Sequence, residues 1–336
     1  MELFYPAYYQ KFVCLAGACP DSCCKEWEVD VDPATAARYR TLPGDLGDRL
    51  RQVLRDNEDC TVMVIEDGRC PMWRQDGLCR IQAELGHDAL CQVCQQFPRL
   101  RHEYGSFTEL GLELSCPEAA QLILSGADYH RCREEVPGCE PPEYDAEIME
   151  ILLQSRETFL SFLEQTDIPF PHVLAVLLLY AHDVQSQLDG GEPAQFDPEA
   201  LLNEAANYGQ AADCGAFLSF FRELEILTPQ WRELLDQPPA VPQWQAEHIA
   251  LLRYMVDRYW LQAVSDFDIV CRAKLAIASC LLVGFLGSNP VETAQLFSKE
   301  IENSTDNVEA ILDGAYSASP LTDAHLLGLL FLKTKK

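Results

Sequence analysis

Cysteines are the residues best placed to do chemistry in this chain. The 336 residues include 15 of them, and their distribution is uneven. Twelve lie in residues 1–139: Cys14, Cys19, Cys23, Cys24, Cys60, Cys70, Cys79, Cys91, Cys94, Cys116, Cys132 and Cys139. Only Cys214, Cys271 and Cys280 follow. The spacing is Cys14-x4-Cys19-x3-Cys23-Cys24, then Cys70-x8-Cys79, Cys91-x2-Cys94 and Cys116. Such density implies disulfides or metal. The opening Met-Glu-Leu-Phe-Tyr-Pro has neither a basic nor an apolar leader region, so a reducing cytoplasmic setting is expected, where clustered thiols bind metal more often than they pair.

Thiolates are soft ligands that select iron–sulfur clusters, zinc and copper(I). Zinc sites usually come as two clean pairs. Here only Cys91-x2-Cys94 has that spacing, and His87 is the one histidine nearby. Neighbouring Cys23 and Cys24 point in different directions, which suits a multi-iron cluster or two adjacent sites. Zinc stays open as the alternative. Cys60, Cys132 and Cys139 lie outside the tight spacings and read as free thiols. Cys214, Cys271 and Cys280 fall in helical segments and read as core.

The elements that must position these thiols are short. Asp32-Pro33 opens a capped helix over 34–40. Thr61–Ile65 reads as a strand, Leu78–Leu85 as a helix ended by Gly86, and Arg101–Glu113 as two strand arms about Gly105-Ser106. Cys116-Pro117-Glu118 starts a helix that runs to about Ser125. Pro137, Gly138, Pro141 and Pro142 mark a linker. Beyond it Ile148, Ile151, Leu152, Phe159, Phe162 and Leu163 recur at helical spacing. Further helices are expected over 172–188, 198–208, 214–224, 243–264, 268–286, 290–302 and 307–313. The expected fold is α+β: a loop-rich cysteine-cluster metal domain with short strands and helices over residues 1–140, then an all-α domain over 141–336.

The chain carries 25 Lys+Arg against 53 Asp+Glu, a net charge of −28. No basic run exists, which argues against nucleic acid as a partner. The apolar stretch at Leu174–Ala181 falls far short of a membrane span. An acidic surface suits a basic substrate such as lysine side chains, and equally serves solubility.

The segment Phe12-Val-Cys14-Leu-Ala-Gly-Ala-Cys19-Pro-Asp-Ser-Cys23-Cys24-Lys-Glu-Trp27 resembles the opening of the flagellin lysine-N-methylase family. So do Cys70-Pro-Met-Trp with Gly77-Leu-Cys79-Arg-Ile-Gln-Ala-Glu-Leu-Gly86, Cys94-Gln-Gln-Phe-Pro98-Arg99, and Leu114-Ser-Cys116-Pro-Glu118. Phe297-Ser-Lys-Glu-Ile-Glu302 extends the resemblance toward the C-terminus. The first half is also similar to a broader class of zinc- or iron-chelating cysteine-cluster domains. The resemblance implies a protein-lysine N-methyltransferase that moves methyl groups from S-adenosylmethionine to lysine ε-amines of flagellin. It also implies an iron–sulfur cluster, expected as 4Fe-4S. Cys19, Cys23, Cys24, Cys70, Cys79, Cys94 and Cys116 form the expected metal group, because each sits in a segment that carries the resemblance.

The residues alone do not specify the methyl chemistry. No Gly-x-Gly-x-x-Gly loop follows a strand, so an ordinary dinucleotide-type methyltransferase fold is not expected. The Cys-x3-Cys-x2-Cys pattern of radical enzymes is broken at Glu26. A lysine ammonium, with a pKa near ~10.4, must lose a proton before it attacks a methyl group. Tyr104, Glu109, Glu113 and Glu118 are candidate bases, and no feature selects one. Trp27 could shield a cluster but reads as core packing, and Arg99 could equally bond a cluster sulfide, an adenosylmethionine carboxylate or a structural acid. Two other readings remain open: a metal-binding or electron-transfer protein without methyl transfer, and a zinc-stapled interaction module.

Overall fold

The computed structural model describes residues 1–331 apart from 58–59, 127, 139–140, 209–211 and 288. Cys139 therefore lies outside the described residues, as do part of the expected 137–142 linker and Ser288 of an expected turn.

The cysteine-bearing loops surround a small core. Strands β2 (Val29–Val31), β3 (Leu54–Asp56) and β4 (Thr61–Met63) form an antiparallel sheet in the order β2-β4-β3. Helices α1 (Pro33–Thr41) and α2 (Gly44–Val53) follow β2. The sequence marks where α1 starts: Asp32 accepts from Thr35 N at 3.0 Å, and Pro33 fills the first turn, where a missing N–H costs nothing. Leu46, Leu50 and Val53 recur on one face of α2 and are buried with Tyr39, Met63 and Met72. Two short helices complete this region, α3 (Arg80–Leu85) and α4 (Gln92–Gln96). Gly86 ends α3 with φ +85°, a left-handed conformation that glycine adopts without steric cost.

A four-stranded sheet stands between these loops and the helical half. Its strands are β1 (Glu2–Pro6), β5 (Arg99–Glu103), β6 (Phe107–Leu112) and β7 (Arg131–Glu135), in the order β5-β6-β1-β7. Strand β1 runs parallel to β6 and antiparallel to β7. The β5–β6 hairpin turns at Gly105, where φ is +67°. After β6 comes α5 (Pro117–Leu124), whose Ala119, Ala120 and Ile123 are buried.

The helices after the sheet are α6 (Ala146–Gln165), α7 (Phe170–Leu188), α8 (Pro198–Ala205), α9 (Cys214–Arg222), α10 (Pro229–Asp236), α11 (Ala246–Tyr259), α12 (Val270–Leu286), α13 (Pro290–Phe297), α14 (Thr305–Ser317) and α15 (Asp323–Leu330). Every residue of α12 is buried, because a helix that is apolar on all sides is stable only at the centre of a bundle. Its two internal cations are paired, although Arg272 Nε makes no hydrogen bond. Lys274 Nζ bonds Ala315 O at 2.6 Å and Asp323 Oδ1 at 2.8 Å, and Arg272 pairs with Asp266 at 2.8 Å. A π-helical turn, Ser298–Glu302, continues α13.

The larger apolar core runs from Tyr8 to Leu330 and takes in β6 and α5 together with the bundle. The smaller core draws on residues 29–91 alone. The architecture is α+β as expected. Among the described residues no helix is long and apolar enough to cross a membrane.

Candidate functional site

Backbone pairing brings distant cysteines together around the small core. Cys70 N donates to Cys24 O at 2.8 Å, and Lys25 bridges to Arg69 beside them. Trp73 bridges antiparallel to Cys79, and its N–H donates to Cys70 O at 2.9 Å. Cys91 and Cys94 stand at the start of α4, which Asp32 docks against α1: its second oxygen accepts from Gln92 N at 3.0 Å. Cys70 and Cys91 are buried in the small core, with Cys24 and Cys79 packed against it.

The thiols perturb one another as neighbours must. The Cys23 S–H bonded to Cys24 draws Cys24 down to about 7, while the same bond raises Cys23. Cys94 does the same for Cys91, drawing it down to about 7 and itself rising. Burial pushes Cys70 up to about 12, and the adjacent Cys24, Cys79 and Cys91 add to the rise. Burial raises Cys79 too, with Cys24 and Cys91 contributing. An adjoining group holds Cys116, pushed up to about 11 by burial with help from Cys19 and Cys14. Cys23 lies between the groups, since Cys24, Cys14 and Cys116 all act on it.

Of the expected metal group, Cys70 belongs to the small core with Cys91, Cys24 and Cys79 pack against that core, Cys23 and Cys94 bond Cys24 and Cys91, and Cys116 belongs to the larger core. Cys91 and Cys14 were not in the expected group, although the Cys91-x2-Cys94 spacing was a signal for the first. Cys60 is exposed, Cys132 sits on β7, and Cys271 and Cys280 are buried in α12. The donor chemistry suits a thiophilic metal centre: clustered thiols disfavour each other's ionisation, and a bound cation relieves that. Among the described residues no group of three or more His, Cys, Asp or Glu side chains is placed so that it could hold a metal ion.

The helical half grips the loop that carries Cys19, Cys23 and Cys24. Lys299, 3% exposed on the π-turn, reaches Asp21 Oδ1 and Oδ2 at 3.1 Å, pairs with Glu26, and lies 5.2 Å from the Trp27 ring centre. Glu26 has φ +77°, a left-handed backbone that a non-glycine residue holds only under constraint. From α13, Gln295 bonds Asp21 at 3.0 Å and Ser115 O at 2.7 Å, the residue before Cys116. Lys25 also pairs with Asp21 at 2.7 Å. Burial alone would raise Asp21, but Lys25 and Lys299 hold it below the usual carboxylate range.

Three residues on, the same π-turn reaches a second feature. Glu302 accepts from Tyr259 OH at 2.9 Å and Tyr254 OH at 3.2 Å, and pairs with Arg258 at 3.4 Å. Tyr254 and Arg258 are part of the wall of a cavity of about 250 Å3 between the four-stranded sheet and helices α6 and α11. Inside it Glu109 of β6 binds Arg156 of α6 through two bonds, 2.6 and 2.9 Å, and also pairs with Arg131. Burial opposes ionisation of Glu109, but Arg156, with Arg131, holds it below the usual carboxylate range. Asp257 also lines the cavity, and burial raises its pKa.

The candidate bases fare differently. Glu109 is committed to two arginines. Glu113 is enclosed, accepts from Ser115 Oγ at 3.1 Å, and is raised by burial with Glu302 contributing. Tyr104 stacks on Phe107 at 4.9 Å and burial holds it protonated. Glu118 occupies the first turn of α5, where a carboxylate complements the helix dipole. Arg99 lies 5.2 Å over the Phe12 ring. Asp257 went unseen, since one aspartate four residues after Arg253 on an amphipathic helix reads as an ordinary surface pair.

A set of thiols built onto a helical bundle, with a half-open cavity joined to it through one π-turn, defines a cysteine-cluster protein of two coupled parts. Over 130 residues the chain is 33% identical to "Flagellar biosynthetic protein FliU" of Salmonella muenchen, covering 37% of this chain and 77% of that one. It is equally 33% identical over 130 residues to "Lysine-N-methylase" of Salmonella typhimurium, and over 133 to that of Salmonella choleraesuis. The match spans 32% of the length of each of those two proteins. The chain belongs to the flagellin lysine-N-methylase family. No protein-family model matches it, and no solved structure does.

Proposed function

We propose that this protein is an S-adenosylmethionine-dependent methyltransferase acting on lysine ε-amines of flagellin, with an iron–sulfur centre held by its N-terminal thiols. The similarity to proteins named lysine-N-methylase and FliU carries this reading. Cys24, Cys70, Cys79, Cys91 and Cys94 would hold the centre, with Cys23 beside them. When bound, such a centre supplies a crosslink between loops and a one-electron reservoir.

The methyl transfer itself has simple requirements. The lysine ammonium gives up a proton; its nitrogen then forms the N–C bond to the methyl carbon. The C–S bond breaks with its electron pair going to sulfur, so the sulfonium becomes a thioether. Enclosure that keeps water out favours the neutral amine. Anaerobically purified protein, incubated with flagellin and isotope-labelled S-adenosylmethionine, should leave labelled methyl groups on flagellin lysines by mass spectrometry. Unlabelled flagellin from metal-replete protein would contradict the reading.

A further inference from the structure

We infer that the cavity between the four-stranded sheet and helices α6 and α11 is a binding site for an amino-acid zwitterion carrying an additional flat or cationic part. The inference deepens the proposed function, since S-adenosylmethionine belongs to that class. It rests on which charges in the cavity are already spent.

Most are. Glu109 is committed to Arg156 and Arg131, and Arg258 to Glu302 and Tyr254. Two opposite charges keep unused bonding capacity: Asp257, and Arg253, whose Nη1 pairs with Glu164 while its Nε makes no hydrogen bond. Asp257 is enclosed by the cavity walls, yet 44% of its side chain is accessible because it faces the open space. Its carboxylate accepts no hydrogen bond among the described residues, and the nearest cation, Arg253 Nε, is 3.7 Å away. That is within ion-pairing range but outside hydrogen-bonding distance. Arg253 Nε is itself enclosed and lacks a hydrogen-bond partner, as does His102 Nε2 on the opposite wall. Two of the buried polar atoms without partners among the described residues thus belong to residues that line this one cavity.

One free carboxylate beside one underused guanidinium matches an α-amino acid head, whose ammonium and carboxylate share a carbon. The wall carries four arginines and four carboxylates, Glu109, Glu157, Glu164 and Asp257; a lysine side chain alone would meet the carboxylate of Asp257 but leave Arg253 Nε without an acceptor. Next to the charged pair, Tyr8 and Tyr129 meet edge to face at 5.7 Å, and Arg253 covers one face of Tyr129 at 4.7 Å. Such rings take a flat heterocycle or a sulfonium. Burial holds the His102 imidazole neutral, so its free nitrogen can donate to or accept from a base edge.

The test is calorimetric titration of the full metal-loaded chain with S-adenosylhomocysteine, adenosine and Nα-acetyl-lysine amide, a lysine side chain without the zwitterionic head, in separate runs. Saturable S-adenosylhomocysteine binding is expected, with adenosine and the blocked lysine far weaker. Asp257→Asn should weaken it roughly tenfold or more, the cost of losing a charge-assisted bond. Hydrogen exchange on the unaltered protein backs this if the variant misfolds: ligand protection should concentrate in residues 107–112 and 246–259. Binding that Asp257→Asn leaves intact, or protection elsewhere, would overturn the site and leave methyl transfer standing. Blocked lysine binding more tightly than S-adenosylhomocysteine would overturn the ligand class. No binding at all, with methyl transfer intact, would overturn the cavity; loss of both would overturn the proposed function as well.

Discussion

The small core of residues 29–91 and the bundle around α12 solve the same problem with different means. The bundle buries an entire helix, and Phe159, Phe217, Phe221, Trp231, Trp260 and Phe297 are almost wholly sequestered in it. Apolar burial at about 25 cal/mol per Å2 is enough to hold such a region. The small core has strands of three residues each and helices of ten residues or fewer, and two of its buried members are cysteines. Regions of that size rarely supply sufficient hydrophobic stabilisation and draw on crosslinks or metal. The difference teaches where a cofactor matters: in the part whose side chains cannot close a core by themselves.

The largest expected effect is metal removal. Chelation should strip order from the loops over 14–94 while α6–α15 stay protected, as hydrogen exchange can show. The sheet β1-β6-β7 and α5 should also persist, because they share the larger core. Equal protection of the 14–94 loops with and without metal would erase the contrast between the two regions.

Leu282→Ala probes the other side. Leu282 is fully buried in α12, so truncation should cost about 2–5 kcal/mol of stability by denaturant titration. Iron per chain in the folded fraction should not change. A fall in metal with no loss of stability would show that the regions are not separable in this way.

Lys299→Met tests their junction. The substitution removes one of the two cations on Asp21 and the nearer cation of Glu26, both partly exposed, so a cost of about 1–3 kcal/mol is expected, below that of breaking a fully buried pair. Metal retention should fall too, because the loop bearing Cys19, Cys23 and Cys24 loses its anchor. The pH dependence follows in sign. Asp21 is held below its ordinary value when folded, so its contribution is present at neutral pH. It is lost as pH drops below the unfolded carboxylate value of about 4 and through the lower folded one. In the variant this acid limb should flatten; an unchanged acid limb would remove Asp21 from the account.

Much of this arrangement could be read in the sequence. Asp32-Pro33 announced α1, Gly86 stopped α3, Gly105 turned the hairpin, and Pro117 opened α5, each through local backbone chemistry. Three-and-four apolar spacing disclosed α6, α7, α11 and α12. Strand β7 stayed hidden because Arg-Cys-Arg-Glu-Glu has the charge of an exposed loop, and it is a strand only because β1 pairs with it. Helices α2, α10 and α15 were also missed. The cavity was illegible for a related reason: Glu109, Arg156 and Asp257 are far apart in sequence and meet only through packing. Cys91 and Cys14 show the limit for the thiols, since spacing suggests which cysteines are candidates but not which loops fold against each other.

The smallest expected effect supplies the control for the most direct test. Anaerobically purified Cys24→Ser and Cys70→Ser variants should be compared with Cys60→Ser by iron and acid-labile sulfide analysis and by visible absorption. Serine exchanges a soft thiolate for a hard, poorly ionised hydroxyl. The account predicts that the unaltered chain binds iron and sulfide, that the Cys24 and Cys70 variants lose most of both, and that Cys60→Ser keeps a full complement. Full iron and sulfide in the Cys24 and Cys70 variants, or none in the unaltered chain, would contradict it.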